Sequence, residues 1–380
     1  MPATVDDLPT PCLLLERKRM DRNLARLRDR MAGLGVTLRP HLKTCKSIEV
    51  ARRMLPSPAG PATVSTLREA EAFAAAGVRD MTYAVGIAPQ KLERVAALRA
   101  QDVDLSVILD SLEQAEAVAA RSRAGGGPIP ALIEIDADGH RAGVRPAERE
   151  KLRAIGRAIA HGGAELRGVL THAGASYDAR GAAELEAAAE QERAAVVEAA
   201  AALRAAGLPC SVLSVGSTPT AHFARNLSGV TEVRAGVYVF FDLVMAGLGV
   251  CALDDIAITV LATVIGHQSR GEERLTLTDA GWMALSRDRG TVTQAVDQGF
   301  GLVCDLAGRP LGDLIVAETS QEHGVLAPRP GAAAAMSLPL GARVRILPNH
   351  ACATAAQFDH YHVLDGGKEV TAEWPRFGGW

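Results

Sequence analysis

The sequence predicts an α/β chain, a (β/α)8 barrel followed by a mostly antiparallel β domain. Three observations lead there. Short apolar or β-branched runs alternate with Ala/Arg/Glu-rich segments of helical period over the first two thirds of the chain. That texture stops after Met245, where long helical segments give way to short β-branched runs. No Gly-x-Gly-x-x-Gly opens the first unit, as an open doubly wound sheet would require of its phosphate turn.

The expected strands of the first part are 38–43, 63–67, 81–85, 105–110, 131–136, 166–172, 211–215 and 233–241. The helices expected between them are 48–54, 68–76, 89–98, 112–121, 147–161, 182–206 and 220–227. Strands separated by helices pair in parallel. About eight such units over roughly 200 residues suit a closed barrel. Past Met245, expected strands at 256–265, 275–279, 302–305, 314–318, 343–347 and 361–364 are separated by turn residues such as Gly271 and Gly331. The run 11–16 precedes the first helix (17–31) and lacks a crossover partner, so it is assigned to the β domain. The expected division is a barrel over 17–245 and a β domain from 1–16 and 246–380.

At 380 residues the chain exceeds one ordinary domain, and with 48% hydrophobic and 22% charged residues it can bury a large core. A net charge of −3 without a basic block argues against nucleic acid as a partner. No apolar run approaches the ~20 residues that span a bilayer. The N-terminus has no basic segment leading into an apolar one, so no signal peptide is read there. Six scattered cysteines without a CxxC pair fit a reducing compartment, and a cytoplasmic protein is expected.

In such barrels chemistry gathers where strands end. The first strand ends in Arg39-Pro40-His41-Leu42-Lys43-Thr44. A lysine at that junction is held by a rigid element, as a Schiff-base lysine must be. Arg39, His41 and Lys46 would disfavour its charged form. A plain surface lysine fits the same residues. Other ends are polar too: Ser65-Thr66, the stretch from Asp136 to Arg141, His172 with Tyr177, Gly216-Ser217-Thr218, and Gly236 with Tyr238. Small residues at 216–218 would let amides and hydroxyls meet a phosphate, and a helix N-cap calls for the same residue types. His172 could stack on a flat heterocycle or be a core histidine with its hydrogen bonds met. Arg141 could reach a carboxylate in the barrel mouth or simply be solvated.

In the β domain, His350-Ala351-Cys352 read as a strand points imidazole and thiolate to one side. That is half of a zinc-type site, with a buried cysteine beside an exposed histidine as the plainer alternative. Gln321-Glu322-His323 is another polar cluster, where Glu322 or His323 could orient ligands or move protons. His360 and His362 read as ordinary strand residues.

Together these segments resemble the fold-type III pyridoxal-phosphate enzymes, and among them the D-serine dehydratase and D-threonine aldolase branch. The resemblance covers essentially the whole chain. It is carried by residues 39–44, 134–144, 171–177, 214–220, 232–242, 279–283, 321–324 and 348–352. It implies a barrel of alanine-racemase type with a C-terminal β domain. It implies that Lys43 binds pyridoxal 5'-phosphate covalently and acts as the base at Cα. Gly216, Ser217, Thr218, Gly236 and Tyr238 would hold the phosphate, His172 and Arg141 would lie against the pyridine ring or its nitrogen, and Tyr177 would border the cofactor. His350 and Cys352 would bind a divalent metal, with zinc favoured by the thiolate and magnesium or manganese allowed by the family. The implied reaction is loss of water from a D-3-hydroxy amino acid such as D-serine or 3-hydroxyaspartate, giving a 2-oxo acid and ammonia. Retro-aldol cleavage to glycine and an aldehyde is the alternative, and a non-catalytic carrier of the cofactor would lack the β domain. Aldolases of the branch tend to carry a Gly-rich run where this chain has Val215-Gly216-Ser217-Thr218, which tilts the reading toward a dehydratase. A homodimer is implied by analogy. A second substrate carboxylate would want a cation, for which Arg287, Arg289 and His323 are candidates.

Overall fold

A computed structural model of the chain describes residues 3–271, 273–332 and 338–380. Of the expected β domain, residues 1–2, 272 and 333–337 lie outside the described residues. The chain forms two compact units, one of Met1–Ala25 with Val237–Phe377, the other of Arg26–Gly236 with Gly378–Trp380.

The chain opens with β1 (Cys12–Glu16) and the helix Arg17–Gly33. Eight strands follow: β2 (Thr37–Leu38), β3 (Ala62–Val64), β4 (Asp80–Gly86), β5 (Asp104–Leu109), β6 (Pro130–Ile135), β7 (Glu165–Thr171), β8 (Val212–Val215) and β9 (Glu232–Val233). They pair in parallel in the order β2-β9-β8-β7-β6-β5-β4-β3. A bridge between His41 and Thr63 joins the two ends and closes the barrel. There Leu42 N donates to Thr63 O (2.9 Å) and Thr63 N to Pro40 O (2.8 Å). β6 is buried along its whole length and β5 nearly so, the pattern of strands covered on both faces. Three helix starts have a local cause. Thr66, Ser111 and Ser217 accept the amides of Glu69, Gln114 and Thr220, capping the helices Leu67–Ala75, Leu112–Arg123 and Thr218–Phe223. The helix Arg149–His161 buries Leu152, Ile155, Gly156 and Ile159 along one stripe.

Two expected strands are shorter than the apolar runs that suggested them. Over 38–43 only Leu38 is regular strand, though Arg39 N and His41 N still donate to Val233 O and Ala235 O at 2.8 and 2.7 Å. Pro40 has no N–H to add to that ladder. Over 233–241 the strand ends at Val233. The chain then enters the 3-10 turn Val237–Val239, and Phe241 takes a left-handed φ of 51°. Burial of Phe240 and Phe241 made that run apolar without making it a strand.

The other unit holds β10 (Ile258–Arg270), β11 (Glu273–Thr278), β12 (Gly301–Cys304), β13 (Pro310–Thr319), β14 (Gly324–Pro328), β15 (Arg343–Pro348), β16 (His360–Leu364) and β17 (Val370–Pro375). Their order is β11-β14-β13-β12-β15-β10-β1-β16-β17, with β10 also paired to β11. β1 thus belongs to this sheet, antiparallel to β10 and parallel to β16. Arg345 is 2% exposed and donates to Glu16 Oε1 (2.8 Å) and Thr259 Oγ1 (3.0 Å), so its buried charge is paired. None of the six cysteines forms a disulfide. Among the described residues no helix is long and apolar enough to cross a membrane.

Candidate functional site

Lys43 is exposed in the turn that follows the β2 ladder, its amide 3.4 Å from His41 Nδ1. Two of its expected basic neighbours are committed elsewhere. Arg39 pairs with Glu232 (2.7 Å) and Asp80 (2.6 Å), and Lys46 with Glu69 (3.2 Å). The crowding of like charge expected around Lys43 is therefore weaker than the sequence suggests. His41 is held neutral. Burial pushes its pKa well below the usual value, and the charges of Lys43 and Arg234 push the same way.

His172 follows β7 directly. Its Nδ1–H donates to Gly216 O at 2.8 Å, which leaves Nε2 as an acceptor. Burial lowers its pKa to about 4, helped by Lys43, Arg141 and Arg234 against the Gly216 bond. The same charges reach His41 and His172, so Lys43, His41, His172 and Arg234 gather at one end of the barrel. Tyr177 sits in the turn Gly174–Asp178 with its ring 6.4 Å from that of His172. Arg141 is 57% exposed on its loop, 3.6 Å from Glu134. Ser65 and Thr66 turn inward instead. Both bind Glu69 and start a helix, so their polarity is structural.

The β8 end shows a carboxylate that sequence reasoning missed. Glu192 is buried and accepts from Gly216 N (2.7 Å), Ala173 N (3.1 Å) and Thr220 Oγ1 (2.9 Å). Burial raises its pKa against those three donors. The amide of Gly216 is thus spent inside the protein, and that of Ser217 goes to Thr220 Oγ1 (3.2 Å). Ser217 Oγ is shared with Ser176 Oγ and Thr220 Oγ1. Thr218 Oγ1 is buried and, among the described residues, has no hydrogen-bond partner. Gly216 cannot be replaced sterically: at φ +147° a Cβ would lie 1.9 Å from Arg234 O. A Cβ on Gly236 would meet Thr44 Oγ1 at 3.1 Å and His41 at 3.2 Å, so that position packs against the lysine loop. Tyr238 is buried in the turn Val237–Val239 of the other unit.

Arg234 is the second missed residue. Its buried guanidinium donates to Ser214 Oγ and Thr171 O. Burial lowers its pKa to about 10 although Glu232, Glu192 and Glu134 favour the charge. A signal existed for Glu192: it interrupts the apolar stripe Leu185, Ala189, Val196, Ala199, Leu203 of its helix. Arg234 offers none beyond its place in an otherwise apolar run.

His350 and Cys352 do not lie on a strand. β15 ends at Pro348, His350 is the N-cap of the helix Ala351–Ala355, and Cys352 falls in its first turn. Two buried side chains force that turn. Asp242 accepts from Ala351 N (2.9 Å) and Met245 N (3.0 Å). Asn349 accepts from Thr291 N (3.0 Å) and donates to Gly299 O (2.6 Å). The imidazole and thiol still meet, because Cys352 is a hydrogen-bond partner of His350. Asp288, also missed, lies 2.6 Å from His350 Nδ1. Burial opposes charge on His350, but Cys352, Asp288 and Asp242 outweigh it and raise its pKa to about 11. Arg289 is tied to Asp297 (2.7 Å), while Arg287 is exposed and stacks over Trp282. Glu322 and His323 are exposed beside the start of β14.

Comparison with known proteins covers both units. The family model described as "Alanine racemase, N-terminal domain" matches residues 15–244, and the one described as "Putative serine dehydratase domain" matches residues 257–364. D-threo-3-hydroxyaspartate dehydratase of Delftia sp. (strain HT23) is 53% identical over 100% of both chains. A solved Cys-to-Ala variant of D-threo-3-hydroxyaspartate dehydratase, in the metal-free form, is 52% identical, superposes with a TM-score of 0.96 and covers 100% of both chains. D-serine dehydratase of Dictyostelium discoideum is 29% identical over 96% of both chains. The chain belongs to the fold-type III pyridoxal-phosphate enzymes, in the alanine-racemase-fold group that includes the D-serine dehydratases.

Proposed function

We propose that the protein is a pyridoxal-phosphate- and divalent-metal-dependent dehydratase of D-3-hydroxy amino acids, taking D-threo-3-hydroxyaspartate or D-serine to a 2-oxo acid and ammonia. The observation that carries this reading is the 53% identity to the Delftia dehydratase over the full length of both chains. The working division is a barrel over 17–245 and a β domain from 1–16 and 246–380, in a cytoplasmic homodimer.

The residues fit the cofactor. Thr218 has a buried hydroxyl in want of a partner. Lys43 would attach the cofactor, with Thr218, Ser217, Gly216, Gly236 and Tyr238 toward its phosphate and His172, Arg141 and Tyr177 along its ring. When bound, pyridoxal phosphate delocalises the electron pair left at Cα. Lys43 Nζ takes the Cα proton. Burial makes His172 and His41 weak bases, so they compete poorly for that proton. Gly216 serves through its carbonyl, which fixes the His172 ring, since its amide is held by Glu192.

The donor set at His350 and Cys352 fits a soft divalent ion such as zinc, and Asp288 behind His350 is the outer carboxylate that such a ligand commonly has. A metal there would supply Lewis acidity for a departing hydroxide. That the solved Cys-to-Ala variant is described as a metal-free form implies that this relative binds a metal.

The test is an assay of D-threo-3-hydroxyaspartate, D-serine and D-threonine with the holoenzyme, before and after chelation. Ammonia and a 2-oxo acid in equal amounts, lost on chelation and restored by zinc, are expected. Glycine with an aldehyde as the products would replace the dehydratase reading with an aldolase.

A further inference from the structure

His360 and His362 alternate on β16, so both rings leave one face of the strand. Glu373 on β17 is the cross-strand neighbour of His362. One ligand atom from each of the three lies within 4.8 Å of the others. The two Nε2 atoms are 3.0 Å apart, with the rings at 83° to each other. Asp359 holds His360 Nδ1, which leaves Nε2 of that ring as a lone-pair atom turned toward His362. The His362 side chain is 5% exposed. Its Nδ1 lies 3.2 Å from Glu373 Oε1, out of line for a hydrogen bond and without another partner among the described residues.

No distribution of protons over two neutral rings satisfies this cluster. If His362 donates Nε2–H to His360, its Nδ1 lone pair faces the Glu373 carboxylate. If the proton sits on Nδ1, two Nε2 lone pairs face each other at 3.0 Å. A cation removes the conflict. With bonds of about 2.1 Å, two nitrogens stand about 3.4 Å apart around a tetrahedral zinc and about 3.0 Å apart at right angles, so the 3.0 Å found here needs only a few tenths of an ångström of side-chain adjustment to hold a zinc. Two imidazoles and a carboxylate select zinc, nickel, cobalt or copper over magnesium or calcium. Asp359 on His360 is the outer-sphere carboxylate that commonly accompanies a metal-bound histidine. His360 (40% exposed) and Glu373 (62%) leave the position open to solvent, so water can complete the coordination.

We propose that His360, His362 and Glu373 form a second divalent-metal site, of the zinc and nickel class, which shares no residue with His350 and Cys352 and staples β17 to β16. Among the described residues β17 ends the sheet order and pairs with β16 alone, so such a staple acts where the sheet is least supported.

Zinc titration calorimetry and metal counting on the holoenzyme and on Cys352→Ala test this. In Cys352→Ala one zinc per chain should remain. Adding His362→Gln should weaken it at least ~10-fold, and adding Asp359→Asn about 10-fold through the outer sphere. In the otherwise native protein, His362→Gln should lower bound zinc by one per chain and leave lyase turnover unchanged. Cys352→Ala that binds no zinc, or native and His362→Gln proteins with equal zinc, would overturn the site and mean that the two rings share a proton. Neither result bears on the dehydratase reading, whose failure would appear in the products.

Discussion

The two units hold reactive side chains by different means. In the barrel unit, regular strands deliver His172, Gly216 and Arg234 to one end, and a buried ionic network fixes them there. Glu192 grips two backbone amides, and Arg39 and Arg234 answer Glu232. In the β unit no regular strand reaches His350 and Cys352. Asp242 and Asn349, both buried, grip the backbone on either side and impose the turn. Where an element places a group, the network around it is free to set its charge. Where side chains must do the placing, geometry and charge depend on the same few contacts.

Substitutions can split the two halves. The largest effect is expected from Lys43→Ala, which should remove the visible absorbance of the bound cofactor and lower turnover by ~10⁴-fold or more. Metal content should stay the same, and retained turnover would sink the assignment. Cys352→Ala should do the reverse, keeping the absorbance while turnover falls by roughly 10²- to 10³-fold. Loss of the absorbance in that variant would show that the halves are not separable. Asp288→Asn should weaken metal binding at the His350 site about 10- to 100-fold with little change in melting temperature. A large drop in melting temperature would instead make Asp288 a folding residue.

The smallest effect concerns the barrel's neutral histidines. His172 has a pKa of about 4 in the fold against 6.5 ordinarily. As the pH falls, the unfolded chain takes up that proton first, so stability is complete above about pH 6.5 and drains away between there and about 4. His41, shifted the same way, adds to it. Melts at stepped pH should register a loss of roughly 2–3 kcal/mol over that window, reduced in His172→Asn. A flat profile down to about pH 5 would contradict the buried neutral ring.

Much of this was legible in the sequence because period and chemistry agreed. The helix 48–54 and the strand near 81–85 came out with nearly their expected bounds, and His172 directly follows a strand as expected, whereas Lys43 lies in a turn past the short strand Thr37–Leu38. What was not legible came from tertiary contacts. The β-branched run 233–241 breaks at a buried arginine and a left-handed phenylalanine. His350-Ala351-Cys352 has the spacing of a strand, but Asp242, more than a hundred residues away, makes it a helix start. β14 contains glycine and proline, and β17 alternates small, charged and aromatic residues, so neither formed an apolar run. Asp288 lies in a polar stretch with no motif, and only the fold brings it to His350.

The first strand has a consequence for how the protein is made. Cys12–Glu16 is synthesised well before its partners, which begin at Ile258 and His360, roughly 240 and 340 residues later. It lies between them in the interior of the nine-stranded sheet, so the C-terminal half alone would have a slot through its middle. That half expressed by itself should be insoluble, and a synthetic peptide spanning residues 1–25 should rescue it by occupying the gap.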